Sequence, residues 1–260
     1  MPGSRATAVN RAAARLLERG HMYFVYRPKI DAEEVRGLED VERFYVILSP
    51  EGRDSYRLLV VGQKRLPGNA GSEDRKAWAF VERVSSHAEE IEDELDPKNR
   101  LTRTRGLRHI PGGRPAGEGV YAIARHNNHS HLAYLLELPR TPGPVQEALR
   151  IQPRAAYVVA VRNPRTDSAV GLDPARRAKL PRALQNRFRG RRFIPLDPPD
   201  FLDHEGSEVL LVGTGDAALA ELGIELEPQH EDLATAGIFS DLQLEQSVHP
   251  LEPLVKGEWA

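Results

Sequence analysis

The feature that most constrains this chain is its repeated use of short apolar runs, rich in Val, Tyr, Phe and Leu, that stop at proline. Met22–Tyr26 ends before Arg27-Pro28, Phe44–Leu48 before Ser49-Pro50, His131–Leu138 before Pro139, and Ala156–Val161 before Asn163-Pro164. Proline has no N–H to give a ladder and its φ is fixed, so it marks strand ends and sheet edges. With Tyr56–Val61, Ala77–Val84, Val120–Arg125 and Glu208–Val212, the pattern predicts four strands in each half of the chain. Glu51-Gly52-Arg53-Asp54 has the residues of a hairpin loop between the second and third strands.

Several of these runs are continuously apolar rather than alternating, which predicts strands covered on both faces. Helices are the expected cover, with candidates at 5–19, 31–41, 86–95, 143–150, 174–188 and the acidic stretch 216–244. Ala77, Phe80, Val81, Val84, Ala88, Ile91 and Leu95 also fit one helical stripe, so 77–95 reads either as a strand and a short helix or as helix throughout. In the first, Ala8, Val9, Ala12, Ala13, Leu16 and Leu17 share a helical stripe that Gly20 would end. The expected fold class is therefore α+β: mainly antiparallel strands in two halves with peripheral helices. The expected boundaries are an N-terminal β-rich half, 1–96, with a leading helix; a basic Pro/Gly linker, 97–119; and a C-terminal β-rich half, 120–260, with a basic helix or loop and an acidic tail. Tyr26-Arg27-Pro28 and Tyr45–Pro50 have counterparts in Tyr121–Arg125 and Tyr134–Pro139. The halves read either as a duplicated unit or as two stretches alike only in being β-rich.

Composition excludes some chemistry. The 260 residues contain no cysteine, which removes disulfides, thiolate metal sites, iron–sulfur clusters and a cysteine nucleophile. That usage fits a reducing cytoplasm, the expected location. No apolar run approaches the length that spans a bilayer, so no membrane partner is expected. The G-x-x-x-x-G-K-[ST], G-x-G-x-x-G and G-x-S-x-G patterns are missing, which takes the main support from P-loop, dinucleotide-binding and α/β-hydrolase readings.

The net charge of −2 hides a segregated charge map. Lys98, Arg100, Arg103, Arg105, Arg108 and Arg114 fill one window without an acid; Arg176, Arg177, Lys179, Arg182, Arg187, Arg189, Arg191 and Arg192 fill another. Such windows can make a local footprint for phosphates, or can pair with the acidic segments of the same chain. The anion-binding candidates are Arg103, Arg105, Arg108, Arg114, Arg187, Arg189, Arg191 and Arg192, with the two windows expected to converge on one face. Phe188 and Phe193 are the only aromatics interleaved with the second window, so base stacking has thin support.

His126-Asn127-Asn128-His129-Ser130-His131 places three imidazoles at the tip of an expected hairpin between 120–125 and 131–138. Neutral imidazole is the commonest metal ligand, and His126, His129 and His131 would need a further donor to complete a divalent metal site. Asp203, within Asp203-His204-Glu205, is the first candidate donor; His230-Glu231-Asp232 is the second. The alternative is a polar turn whose imidazoles bond locally. Three function classes follow: a protein that binds a phosphate-rich partner, nucleic acid foremost; a metal-dependent phosphoester hydrolase; and an interaction protein with no small ligand. Whether the chain is an enzyme stays open at this stage.

Overall fold

The computed structural model describes residues 14–32, 34–104, 106–167, 170–214, 222–223, 226, 236–245 and 248–260. Its centre is a closed antiparallel barrel of eight strands: β1 (Arg15–Pro28), β2 (Val41–Pro50), β3 (Tyr56–Val61), β4 (Lys76–Ser85), β7 (Arg114–His126), β8 (His129–Leu138), β9 (Arg154–Arg162) and β11 (Glu208–Gly213). Around the barrel the order is β4-β3-β2-β1-β7-β8-β9-β11, and β11 pairs back onto β4. The short strand β10 (Phe193–Pro195) extends the β8 edge of β9, since Ser130 pairs with Val159 and Pro195 with Ala160. β5 (Lys98–Thr102) and β6 (Gly106–Ile110) form a separate hairpin.

This closed barrel replaces the expected α+β arrangement. The continuously apolar strands are covered on both faces, but closure of the sheet supplies the inner cover and helices supply little of the outer one. Met22, Phe24, Leu48, Ile123, Leu132 and Tyr157 point inward, and the space left among the inward side chains is about 20 Å³. An eight-stranded barrel is just wide enough for its side chains to fill, so this interior is a packed core. Outside, Tyr23, Tyr45, Ile47 and Leu58 are covered by α1 (Ala88–Leu95), through Ile91 and Leu95, and by Ile238, Leu242 and Leu254 of the C-terminal segment. The two predicted halves become two neighbouring arcs of one barrel, joined through β1–β7 and β4–β11.

The leading helix is also corrected over the residues described. Arg15–Gly20 is strand, because it gains ladder partners on β7, with Leu16 opposite Ala124, and reaches β2 at Gly20, which stands opposite both Tyr121 and Pro50. Tertiary pairing of this kind overrides a helical stripe. Gly20 is no helix stop; a Cβ there would lie 2.0 Å from the Ser49 carbonyl oxygen, so glycine is what lets β1 and β2 meet. Residues 1–13 lie outside the described residues. The expected linker 97–119 is the β5–β6 hairpin followed by the first six residues of β7. Of the other expected helices, 86–95 and 143–150 are realised as α1 and α2 (Pro144–Leu149). Among the described residues the stretch 31–41 yields only the turn Leu38–Asp40, and 174–188 yields a turn at Pro174–Arg176 and the short helix α3 (Arg182–Arg187). No helix among the described residues is long and apolar enough to cross a membrane.

Both mouths of the barrel are stoppered. At one, α2 inserts Val145 and Leu149, and the buried Gln146 amide donates to the Ala116 and Pro253 carbonyls at 2.7 and 2.8 Å. At the other, the 3-10 turn Pro199–Asp203 places Phe201 and Leu202 across the opening. Phe188 packs edge-on against Phe201, with ring centroids 5.5 Å apart. Phe201→Ala therefore opens a cavity at this mouth and is expected to lower stability by about 3–5 kcal/mol, measured by denaturant unfolding. A loss below about 1 kcal/mol would show that the stopper carries little of the fold.

Candidate anion-binding rim

The second basic window lies around the mouth closed by Phe201. Its backbone is held firmly. Phe188 is buried, and Arg189 and Gly190 turn the chain through the left-handed region at φ 46° and 77°. Asn163, at the end of β9, then pins the turn: its N–H donates to the Arg192 carbonyl at 2.9 Å and its side-chain amide to the Arg191 carbonyl at 3.1 Å. Gln185 of α3 donates to the Asn163 side-chain oxygen at 3.0 Å. The adjoining loop is tied down by Arg177, which donates to the carbonyls of Leu172, Pro164 and Thr166. Arg162, fully buried, donates to the Val170 and Thr166 carbonyls and pairs with buried Glu208 at 3.0 Å. Gly171 fits this junction because a Cβ would fall 2.2 Å from both the Arg162 and Glu208 side chains, and its φ of 112° disfavours other residues.

From this anchored backbone Lys179, Arg182, Arg187, Arg189 and Arg191 are exposed, and none has a carboxylate partner among the described residues. Arg176, by contrast, pairs with Glu82 at 3.1 Å, and Arg192 lies over the Phe193 ring.

The first window behaves differently. Arg108 pairs with Asp31, Lys98 with Glu94 at 3.7 Å, and Arg114 is buried. Arg100 and Arg103 are exposed on the hairpin, and Arg105 lies outside the described residues. The windows do not converge. Arg114 pairs with Tyr26 at the C-terminal end of β1, the end stoppered by α2. The second window follows Arg162 and Phe193 at the opposite end. The expectation that they share one face fails because β7 begins where β9 and β11 have their other ends.

The histidine hairpin forms as the sequence predicts. β7 and β8 pair antiparallel, His126 stands opposite His129, and Asn127 turns the chain with φ 52°. All three imidazoles share the outer face of the sheet, since Ala124 stands opposite His131. The His126 and His131 ring centroids are 6.2 Å apart.

Asp203 does not join them. It lies by β3, opposite β8 in the barrel order, and holds the fully buried Arg57 at 2.7 Å and Arg53 at 3.5 Å. Arg57 also pairs with Glu18 at 2.6 Å, and Glu18 accepts the Tyr121 hydroxyl at 2.9 Å. Glu205 is engaged by the Val84 N–H at 3.2 Å. Among the described residues no three His, Asp or Glu side chains are grouped to hold a metal ion. His230, Glu231 and Asp232 lie outside the described residues.

Sequence reasoning missed the Arg57–Glu18–Asp203 network. The available signal was a lone cation inside the apolar run Tyr56–Val61, which must find partners if it faces a core. No family model, curated protein or solved structure matches the chain.

The imidazoles do carry a testable electrostatic consequence. Burial, followed by the neighbouring His126 and His129, pulls the His131 pKa from 6.5 down to about 4. The unfolded chain therefore takes up a proton that the folded chain refuses, and this contribution is lost as pH falls from about 6.5 towards 4. His131→Gln should remove it. The stability of the native chain relative to this variant should decline with falling pH across that window in urea unfolding; a pH-independent difference would contradict the burial of a neutral ring.

Proposed function

We propose that the protein binds a phosphate-rich polyanion, with nucleic acid the best fit, through the rim formed by Lys179, Arg182, Arg187, Arg189 and Arg191. The observation that carries this reading is the concentration of exposed, unpaired cations on a backbone pinned by Phe188 and Asn163. Holding like charges together without counter-charge is unfavourable in the free protein, and phosphate neutralisation with counterion release relieves it. Guanidinium groups suit the task because the planar fork meets phosphate through two donors. A pinned turn also loses less freedom on binding than a mobile one.

The same rim argues for contact with the backbone of a nucleic acid rather than with its bases. Phe188 is used as a stopper, and Phe193 is half-buried with Arg192 across its ring, so neither offers an open stacking face. Binding would then be tolerant of sequence and steep in salt.

Replacing Arg187, Arg189 and Arg191 together with Ala should weaken binding to single- or double-stranded oligonucleotides. It should also reduce the slope of log K against log salt by about 0.7–0.9 for each phosphate that the variant no longer neutralises. The matching triple at Lys98, Arg100 and Arg103 should leave the slope unchanged, as the first window stands at the far end of the barrel. Equal slopes for all three proteins in fluorescence-anisotropy titrations would refute the reading.

A further inference from the structure

The other end of the barrel holds a different kind of cation. A cleft of about 700 Å³ runs between the base of the β5–β6 hairpin and the segment 248–250, and Arg114 lines it. Arg114 is 7% exposed, its Nη1 has no hydrogen-bond partner, and no carboxylate pairs with it among the described residues. The other deeply buried arginines each leave one nitrogen without a hydrogen bond as well, but each has a partner for the guanidinium: Arg57 has Glu18 and Asp203, Arg162 has Glu208, and Arg27 has the Glu94 carbonyl and the Tyr45 ring. Burial lowers the pKa of Arg114, which neighbouring Tyr26 and Glu252 only partly oppose. Tyr26 is no counter-ion, because burial raises its own pKa to about 12 and leaves it neutral. A buried, unpaired cation is strongly unfavourable unless an anion meets it.

We propose that this cleft is a binding site for a small organic carboxylate, anchored by the Arg114 guanidinium. One cation in the cleft calls for one negative charge, and the guanidinium fork takes a carboxylate through two parallel hydrogen bonds. Pro97, Pro111, Val248 and Pro250 give the walls an apolar character that accepts a hydrocarbon body. Asp31, also in the wall, is held in place by Arg108 and by the His109 N–H at 2.7 Å. Its charge there opposes a second negative charge on the ligand, which selects a carboxylate over a phosphate dianion. The cleft volume is in the range of small-molecule sites. This site is independent of the polyanion rim, which is at the opposite mouth.

The test titrates the full chain with sodium benzoate, and separately with sodium phosphate, at ionic strength matched with sodium chloride. It reads arginine side-chain NMR shifts and the melting temperature. Benzoate should bind saturably, with a dissociation constant of about 1 mM or tighter. Arg114→Met removes the buried charge without emptying the space; this variant should keep its fold and bind benzoate at least about tenfold more weakly. Arg114→Lys keeps the charge but loses the fork and should also weaken binding, which decides the matter should the Met variant fail to fold. Arg103→Ala, outside the cleft, should leave binding unchanged. The absence of a saturable benzoate response, or an undiminished one in Arg114→Met and Arg114→Lys, would overturn the proposal. Saturable phosphate binding without benzoate binding would overturn the assigned ligand class. Benzoate affinity retained while Arg114→Met lowers the melting temperature would make Arg114 a structural strut and equally overturn it.

Discussion

Closure of the sheet through the β8–β9 ladder is the constraint on which the rest depends. Six residue pairs, from Ser130–Val159 to Leu135–Arg154, join the last open edge and satisfy backbone groups that an open sheet would leave to water or to another chain. Closure at eight strands fixes the internal width, which is why large side chains such as Phe24, Tyr134 and Tyr157 can fill it without leaving room for a ligand. It also leaves β9 with spare edge beyond Val159. β10 takes that edge, and by doing so brings the chain from the basic turn to the mouth that Phe201 and Leu202 close.

The barrel also explains how one residue type serves three purposes. Arg57, Arg162 and Arg177 act as internal straps, each holding several acceptors at once, a task for which five fixed donors are better suited than the point charge of lysine. Arg53, Arg83, Arg108 and Arg176 form surface pairs, whose individual contribution to stability is small. Arg182, Arg187, Arg189 and Arg191 at the rim and Arg114 in the cleft have no carboxylate partner among the described residues. Arginine enrichment alone is silent on these roles, because a strap and a free rim residue have the same codon and the same charge.

Much of the strand content was legible in the sequence because proline and hairpin chemistry are local. Tyr56–Val61 is bounded as predicted, and Asn127 makes the turn that its tolerance of positive φ suggests. The helices at 88–95 and 144–149 were legible for a similar reason, as Ala88, Ile91 and Leu95 repeat along one buried face. Closure was not legible. It depends on β1 pairing with β7 and β4 with β11, contacts between residues far apart in the chain. The leading helix was misread for the same reason: Leu16 and Leu17 fit a helical stripe locally, whereas the ladder partners of Leu16 and Glu18, Ala124 and Ile123, lie beyond residue 120. In the charge map, the acid-free windows were plain, but which of them is neutralised depends on Asp31 and Glu94 folding back onto the first.

Because both mouths are stoppered and the interior is filled, recognition by the described part of the chain has to occur on the outside, where side chains are ordinarily mobile. The two ends meet that requirement differently. At the Phe201 end, the turn that presents Arg187, Arg189 and Arg191 is fastened to the core by Phe188, so the packing that closes the barrel also fixes the spacing of the cations. At the α2 end, the cation is drawn inward beside Tyr26, where a lower effective dielectric strengthens any single ion pair it makes. Many solvated charges suit a long polyanion gripped loosely at several points, whereas one desolvated charge suits a small ligand gripped tightly at one. The placement of arginine relative to the barrel wall, outside it at one end and within it at the other, is the physical difference on which the two proposed kinds of recognition rest.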